Sequence, residues 1–468
     1  MLTRDAFQSL YDQGPDAVFT LFTALEQRIV ALEARLHKDS HNSSKPPSSD
    51  GLGKKPTPRS LRPNTGRKQG GQKGHPGKTL TFSDAPDHQV PHAPTCCQGC
   101  GASLESAEVV AEQRRQVVDL PPIGLEVTQH IAQTRLCHCG VTTTAAFPKE
   151  ASEPLQYGPC LKALSVYLHD YQLLPFARCT QLLSDVFGTT FCKATLAHAL
   201  SECGTRLEPV CETIKNALIA SPVLHCDETG MRVLGKLHWV HSASTKTLTY
   251  YTCHASRGKK GSDAAKVLAS FGGTAVHDGW CSYGQYSCEH ALCNAHHLRE
   301  LIPFAEEGGL WAKDMITLLV EIKTAVERAQ SQEKTRVSPW RVARFEGRYR
   351  RLLKQGYAAN PPPKNPPKDK RGRQKQTPAR NLLLRLDRNR KQVLAFLYDF
   401  AIPFDNNLAE RDLRMIKLRQ KISGGFRTLT GAEVFCRLRS YLSTLRKQDK
   451  NLLTALESLF RGDPVPVV

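Results

Sequence analysis

Three acidic residues of this sequence could hold a divalent cation. Asp227 follows the apolar stretch 223–226 and Asp278 follows the stretch 274–277, so each aspartate ends a predicted strand. Carboxylate oxygens at strand ends are typical ligands of Mg²⁺. For each aspartate alone the alternative is a residue that caps a turn, and Glu228, which would point to the opposite face of the sheet, competes with Asp227. The two aspartates together predict a candidate Mg²⁺ site.

The third acidic residue, Glu410, lies in a predicted helix near the end of the sequence. It heads a stripe of basic residues on one helical face, formed by Arg414, Lys417 and Lys421. A carboxylate beside cationic side chains suits a metal site next to a phosphate backbone, and we predict that the three basic residues bind DNA. Two alternatives are a plain solvated charged face and a capping box, whose spacing Asn407 and Glu410 share.

The cysteines form the second candidate metal centre. Five of the 16 cysteines fall within residues 96–139, and four of them form two short pairs: Cys97 with Cys100, and Cys137 with Cys139. Two such pairs can supply the four soft ligands of a tetrahedral, structural Zn²⁺. The second pair is one residue shorter than usual, so Cys96 or His138 could replace one ligand. Four unligated thiols are the alternative.

Composition limits the class of protein. The 468 residues include 64 Lys and Arg against 44 Asp and Glu, a net charge of +20, and 40% are hydrophobic, which excludes a wholly disordered chain. No apolar run approaches the ~18 residues of a membrane helix, and the first residues do not form a secretory signal, so we expect a cytoplasmic protein with no membrane partner. The positive charge is typical of proteins that bind DNA or RNA, although a merely basic protein is the alternative.

The N-terminal 220 residues predict four regions. Residues 1–40 form a helix with heptad spacing, which indicates a dimeric coiled coil or an amphipathic helix packed on its own domain. Residues 41–90 form a basic flexible linker that contacts phosphates or is an inert tether. Residues 91–150 form the zinc-binding β module. Residues 151–220 are helical, with two short helices around a glycine turn, as in a helix-turn-helix or any helical hairpin. The heptad residues are Val18, Phe22, Leu25, Ile29, Leu32 and Leu36.

Residues 221–468 predict the largest domain. Strand patterns at 223–226, 237–241, 248–252 and 274–277, with one helix among them, fit a mixed sheet in an α/β domain. The segment 305–400 is mostly helical around a second basic, proline-rich tract, and residues 407–460 are helical again.

Seven motifs occur in order over nearly the whole sequence, and together they resemble those of the transposases of the insertion-sequence-66 family, the large catalytic protein of those elements. They are HNSSKPPSSD (41–50), GGQKGHPG (70–77), RQVVDLP (115–121) between the cysteine pairs, HCDET (225–229), HDGW (277–280), CNAHHLREL (293–301), and DNN (405–407) through SGGFR (423–427).

The resemblance implies a ribonuclease-H-like catalytic core with an Asp-Asp-Glu triad, which falls on Asp227, Asp278 and Glu410. The helical insertion explains the long spacing between the last two. Two Mg²⁺ or Mn²⁺ ions would support phosphoryl transfer that cleaves transposon ends and joins them to target DNA. His296, His297 and Arg299 would approach the scissile phosphate or brace the triad, although a buried structural histidine is an equal alternative for each of the two histidines.

The expected protein is therefore multidomain α/β plus α. It combines a ribonuclease-H-like mixed-sheet core with a helical insertion, an N-terminal coiled-coil helix, a zinc module and a helical DNA-binding segment. DNA is its expected partner in the bacterial cytoplasm at the nucleoid, with a homo-oligomer and small accessory transposition proteins. The competing interpretations are a ribonuclease-H-like nuclease without strand transfer and a non-catalytic zinc-containing DNA-binding protein.

Overall fold

A computed structural model of the chain describes residues 4–36, 80–121, 123–148, 150–363 and 376–467. The motifs at 41–50 and 70–77 and the centre of the second basic tract, 364–375, lie outside the described residues, so what was predicted for them stays a prediction. The chain divides into two structural units: residues 56–128, and residues 1–55 with 129–468. None of the described helices is long and apolar enough to cross a membrane.

The N-terminal region is helical as predicted. Helices α1 (Arg4–Tyr11) and α2 (Pro15–Leu36) are separated by a turn in which Gly14 has a φ of 100°. Proline suits the first position of α2 because its fixed φ is already helical. On α2 the heptad residues Phe22, Leu25 and Ile29 are 62%, 45% and 55% exposed, so they are not packed into a core of the described chain. The coiled coil itself stays a prediction.

The cysteine region contains little regular structure. Strands β1 (Thr134–Leu136) and β2 (Thr142–Thr144) form an antiparallel hairpin. Residues 80–128, as far as they are described, contain one isolated bridge, between Cys96 and Ser103, and no strand. Among the described residues between Arg114 and the second cysteine pair, β1 is therefore the one strand.

Helices precede the large sheet. The segment contains α3 (Pro159–Val166), one π-helical turn over Tyr167–Tyr171, α4 (Phe176–Phe187), α5 (Lys193–Arg206) and α6 (Glu208–Ile219). Gly188 ends α4 in the left-handed conformation, with a φ of 66°, and leads into the turn before α5. The predicted pair of helices around a glycine turn is present, while its role in reading DNA is a prediction.

Five strands form the central mixed sheet, in the order β5-β4-β3-β6-β7. The strands are β3 (Val223–Val233), β4 (Lys236–Ser244), β5 (Thr249–His254), β6 (Thr274–His277) and β7 (Glu289–Leu292). The pairs β5–β4 and β4–β3 are antiparallel, and the pairs β3–β6 and β6–β7 are parallel. The predicted α/β domain with a mixed sheet is confirmed.

One strand is longer than the sequence indicated. The apolar stretch 223–226 is only the first part of β3, which continues to Val233 because residues 225–233 pair with β4 in a long hairpin. Asp227 therefore lies within β3, although we had expected it to end a strand. It lies where the pairing of β3 with β6 stops, since the last paired residues of that ladder are His225 and Val276.

The remaining elements are helical. They are α7 (Lys259–Ala264), α8 (Asn294–Glu306), α9 (Leu310–Ser331), α10 (Pro339–Ala359), α11 (Pro378–Arg388), α12 (Arg390–Val393), α13 (Ala395–Tyr398), α14 (Asn407–Ser423), α15 (Leu429–Lys447) and α16 (Leu452–Arg461). Helices α8 to α13 lie in sequence between β7 and α14, where the helical insertion was predicted.

Successive side chains of β3 point to opposite faces of the sheet and pack into two separate hydrophobic cores. Leu224 and Cys226 belong to a core shared with α3–α6, α15 and α16, whereas Met231 and Val233 belong to one shared with α14 and α15. A third core unites the insertion helices with β6 and β7. Helices thus cover both faces of the sheet.

Candidate active site

Asp227 lies among other carboxylates. Burial is the main cause that raises its pKa well above the usual value. The negative charges of Glu228, Asp278 and Glu410 raise this pKa further, while the Glu228 backbone N–H, which donates to Asp227 Oδ1 over 2.8 Å, lowers it. The negative charges of Asp278 and Glu410 are thus near enough to act on Asp227, and a bound cation would favour its ionised form.

Asp278 follows β6 in the parallel register that places it level with Asp227, two residues beyond the pair His225 and Val276. Its Oδ1 accepts the backbone N–H of Trp280 over 2.8 Å. The aspartate thus also caps a turn, so the two interpretations of the sequence are compatible. Parallel strands bring both aspartates to the same edge of the β3–β6 ladder.

Glu410 comes from the first turn of α14. Its Oε1 accepts a hydrogen bond from Arg299 Nη2 over 3.2 Å and lies 3.7 Å from His296 Nδ1. The capping residue of α14 is Asn406 and it makes no side-chain cap bond, so the capping box of Asn407 with Glu410 does not form. The Glu410 side chain is directed instead toward the residues of α8.

A second group of possible metal ligands includes Glu410. The side-chain ligand atoms of Cys293, His296 and Glu410 lie within 4.8 Å of one another, so they could hold a metal ion. Burial raises the pKa of Cys293 to about 12, and burial followed by the charge of Arg299 lowers the pKa of His296. A thiol and an imidazole favour Zn²⁺ or a similar ion over Mg²⁺. We did not identify this set from the sequence.

Asn406 connects the elements that carry the acidic residues, and sequence reasoning missed it. Its side chain is 1% exposed, donates to the Cys226 carbonyl over 2.8 Å and meets His225 Nδ1 at 2.8 Å. Its backbone N–H donates to Cys293 Sγ over 3.1 Å. The start of α14 is therefore tied to β3 beside Asp227 and to the residue before α8. The only sequence signal was the DNN motif that contains Asn406.

Glu228, the alternative to Asp227 as a metal ligand, already has a hydrogen-bond partner on each carboxylate oxygen. Arg257 Nε donates to its Oε1 over 2.8 Å and the Tyr283 hydroxyl donates to its Oε2 over 2.5 Å. The Arg257 guanidinium also stacks 3.9 Å from the ring centroid of Trp280. Because both carboxylate oxygens of Glu228 have partners, Asp227 is the better candidate ligand for a cation.

The five predicted DNA-binding residues have different surroundings. Arg414 and Lys421 are exposed on α14. Lys417 is half-buried, its Nζ donates to the Gly230 carbonyl over 2.6 Å, and burial lowers its pKa. Arg299 is bonded to Glu410. His297 is 3% exposed, and burial lowers its pKa to about 3, so it is a neutral residue of the interior and does not suit direct contact with DNA.

Each cysteine pair forms a tight turn of its own. Gly101 N–H donates to the Cys97 carbonyl and Gly140 N–H donates to the Cys137 carbonyl, both over 2.9 Å. Backbone N–H groups, first that of Cys100 for Cys97 and that of Cys139 for Cys137, lower the pKa of both thiols. Metal-ligating cysteines must be thiolates, so these turns fit zinc. The first pair lies in the unit 56–128 and the second lies in the other unit.

Comparison with known families agrees with this distribution of motifs. The model of the transposase IS66 family matches residues 154–434. The zinc-finger binding domain of transposase IS66 matches residues 94–140, and a family of unknown function (DUF6444) matches residues 18–81. The search of curated proteins gave no match. Since the first model spans more than half of the sequence and the zinc-finger model precedes it, the resemblance is confirmed, and the chain belongs to the IS66 family of transposases.

Proposed function

We propose that the protein is a DDE transposase, in which Asp227, Asp278 and Glu410 would hold the divalent cations that phosphoryl transfer requires. The observation that supports this proposal is the parallel register that places Asp227 and Asp278 at the same end of the β3–β6 ladder, together with the Asn406 bond that ties the start of the Glu410 helix to β3. A carboxyl group whose pKa is raised by burial and by neighbouring carboxylates, as that of Asp227 is, is more common at functional sites than elsewhere.

The sheet supports a ribonuclease-H-like core. Three strands run antiparallel and two further strands extend the sheet in parallel from β3, the strand that carries Asp227. We therefore propose the domain division of the sequence analysis, with the catalytic domain over 221–468, the insertion at about 305–400, the zinc module over 91–150 and the helical segment over 151–220.

The residues of the chain have distinct roles in the proposed reaction. Mg²⁺ or Mn²⁺ would supply charge stabilisation for the attacking and leaving oxygens of an in-line displacement. Arg299 holds the orientation of Glu410, and Asn406 fixes the helix that carries it. Water attacks the phosphodiester at a transposon end to free a 3′-hydroxyl, which then attacks a phosphodiester of the target DNA.

Further parts of the proposal concern partners. Exposed Arg414 and Lys421 contact the DNA backbone, whereas Arg299, His297 and Lys417 support the site from within. The four predicted cysteines bind structural zinc, and α2 pairs with a second copy through its exposed heptad residues. Action in the bacterial cytoplasm at the nucleoid, with small accessory proteins, belongs to the same proposal.

Cleavage and joining of DNA ends test the proposal. The substrate is a duplex taken from the DNA that flanks the gene, with a supercoiled plasmid as target, in Mg²⁺ or Mn²⁺. Asp227→Asn, Asp278→Asn and Glu410→Gln should each lose both reactions. Asp314→Asn is the matched control, because Asp314 is exposed on α9.

Three outcomes are informative. Normal activity of any triad variant would contradict the proposal. Cleavage without joining would support the alternative of a nuclease. Metal-independent DNA binding with no cleavage by the unaltered protein would support the non-catalytic alternative.

A further inference from the structure

The helical insertion contains a groove that is lined by arginines. The groove lies between α9 and α10 and has a volume of about 610 Å³. Its apolar lining residues include Ile316, Val320 and Phe345. Its arginines are Arg328 from α9 and Arg341, Arg344 and Arg348 from α10.

The arginines of α10 form a row because of helical spacing. Arg341, Arg344 and Arg348 are separated by three and four residues, so they share one face of the helix. Seven residues of helix rise by roughly 10 Å, so the row is long enough to reach successive phosphates of one DNA strand. Arg328 lies in the last turn of α9, across the groove.

Most of this positive charge has no acidic partner. Arg348 pairs with Glu321, the one carboxylate among the lining residues. Within the described part of the chain, no salt bridge forms to Arg328, Arg341 or Arg344. Residues 310–359 together contain eleven Lys and Arg against five Asp and Glu. Uncompensated charge in a concave site attracts a polyanion, and the planar guanidinium suits phosphate in particular.

We propose that this groove binds the sugar–phosphate backbone of duplex DNA, as a contact separate from the carboxylate site. The inference rests on the proposed function, because it assigns a second part of the same DNA substrate. The regular row favours an evenly charged polymer over an acidic protein segment. The contact is independent of base sequence, since guanidinium groups on phosphates carry no base information.

Salt-dependent DNA binding by the full chain tests the groove. Fluorescence anisotropy with a labelled 40-base-pair duplex of random sequence, in EDTA, gives the binding constant over a series of salt concentrations. Arg341→Ala with Arg344→Ala should reduce the slope of log K against log[salt] by about 2, since each phosphate contact contributes about 0.9. The affinity should fall by at least about tenfold at moderate salt, as for lost bonds to charged groups.

A matched control removes two charges from the other face of the same helix. Arg350, which pairs with Glu346, and Lys354 are both exposed and lie away from the groove. Arg350→Ala with Lys354→Ala should leave the slope close to that of the unaltered protein. Circular dichroism melts of both double variants exclude unfolding as the cause.

An unchanged slope in the groove variant would overturn the proposal and leave an acidic protein segment as the occupant. An equal loss in both double variants would also overturn it, because the effect would then be one of net charge. Since EDTA removes catalysis from the measurement, failure of the proposed function would appear separately, as normal cleavage by Asp227→Asn.

Discussion

Residues 80–148 and residues 154–467 bury their apolar side chains to very different degrees. In the first region Val110, Val117 and Val127 are 93%, 91% and 88% exposed. In the second region Leu224, Val240 and Leu301 are completely buried, as are many others. The large region is therefore stabilised by its own hydrophobic cores. The cysteine region has local turns instead, and we infer that it depends on metal for its stability.

The largest expected effect is a loss of activity without a loss of the fold, because residues 154–467 are held by their own hydrophobic cores. Asp227→Asn should lower strand cleavage by on the order of 10³-fold or more, because the metals supply several kcal/mol of transition-state stabilisation. The fold of residues 154–467 should survive. Burial raises the pKa of Asp227, so its contribution to stability is lost as the pH rises through that raised pKa. Metal-free Asp227→Asn should thus melt at or above the temperature of the unaltered protein at pH 8, by calorimetry. A clearly lower melting temperature would contradict this.

In the cysteine region, residues 80–148, the loss of the Cys97 thiol should remove the bound zinc and destabilise the local structure. Cys97→Ser should abolish the expected single bound zinc, measured by metal analysis, because a structural site needs all four ligands. Limited proteolysis within residues 80–148 should become at least about tenfold faster, as for a segment that has lost its cooperative structure. Cys192→Ser is the control, since Cys192 is exposed and belongs to neither cysteine pair. Zinc retained at full stoichiometry in Cys97→Ser would favour a ligand set with Cys96 or His138.

Within the buried region, Asn406 should affect both stability and activity. Asn406→Ala removes two side-chain bonds and leaves buried groups of His225 and Cys226 unpaired, at a cost of about 3 kcal/mol in the free energy of unfolding. Cleavage should fall by roughly 10- to 100-fold, with a higher Mg²⁺ requirement, because Glu410 loses its support. Denaturant melts and a Mg²⁺ titration of the rate measure both effects. The exposed neighbour provides the control Asn407→Ala, and an equal loss in both variants would refute the role of Asn406.

The buried side chain of His297 should make the free energy of unfolding of residues 154–467 decrease in acid. Burial lowers the pKa of His297 to about 3 in the folded chain, so its contribution to stability is present above pH 6.5 and is lost as the pH falls. Between pH 7 and pH 5 that loss reaches about 2 kcal/mol. His297→Gln should therefore flatten the dependence of the free energy of unfolding on pH over this range. His198→Gln, at an exposed site, should keep the full dependence.

The smallest expected effects are those of replacing two lysines of α14, Lys417 and Lys421, which differ in burial. Lys421 is exposed, so Lys421→Ala should lower the salt slope of DNA binding by about 1 without changing stability. Lys417 is bonded to the Gly230 carbonyl, so Lys417→Ala should lower the free energy of unfolding by about 1 kcal/mol. Anisotropy and denaturant melts distinguish the two. Identical behaviour of both variants would show that burial does not decide their roles.

The sequence was sufficient for much of this architecture. The apolar stretches 223–226 and 274–277 predicted the sheet, and motif order predicted the family, which is confirmed. The length of β3 was not predictable from local pattern, because the polar residues Glu228 and Thr229 resemble a turn until their partners on β4 are known. The bonds of Asn406 join residues about 180 positions apart, and no spacing rule reports such contacts.

The attachment of α14 through Asn406 also has a consequence for protein synthesis. Both aspartates and the whole of the sheet leave the ribosome long before residue 410 does. A chain released early, or cut within the insertion, would possess two of the three proposed ligands on a nearly complete sheet. Such fragments would lack the third proposed ligand, so under the proposed assignment they would not cleave DNA.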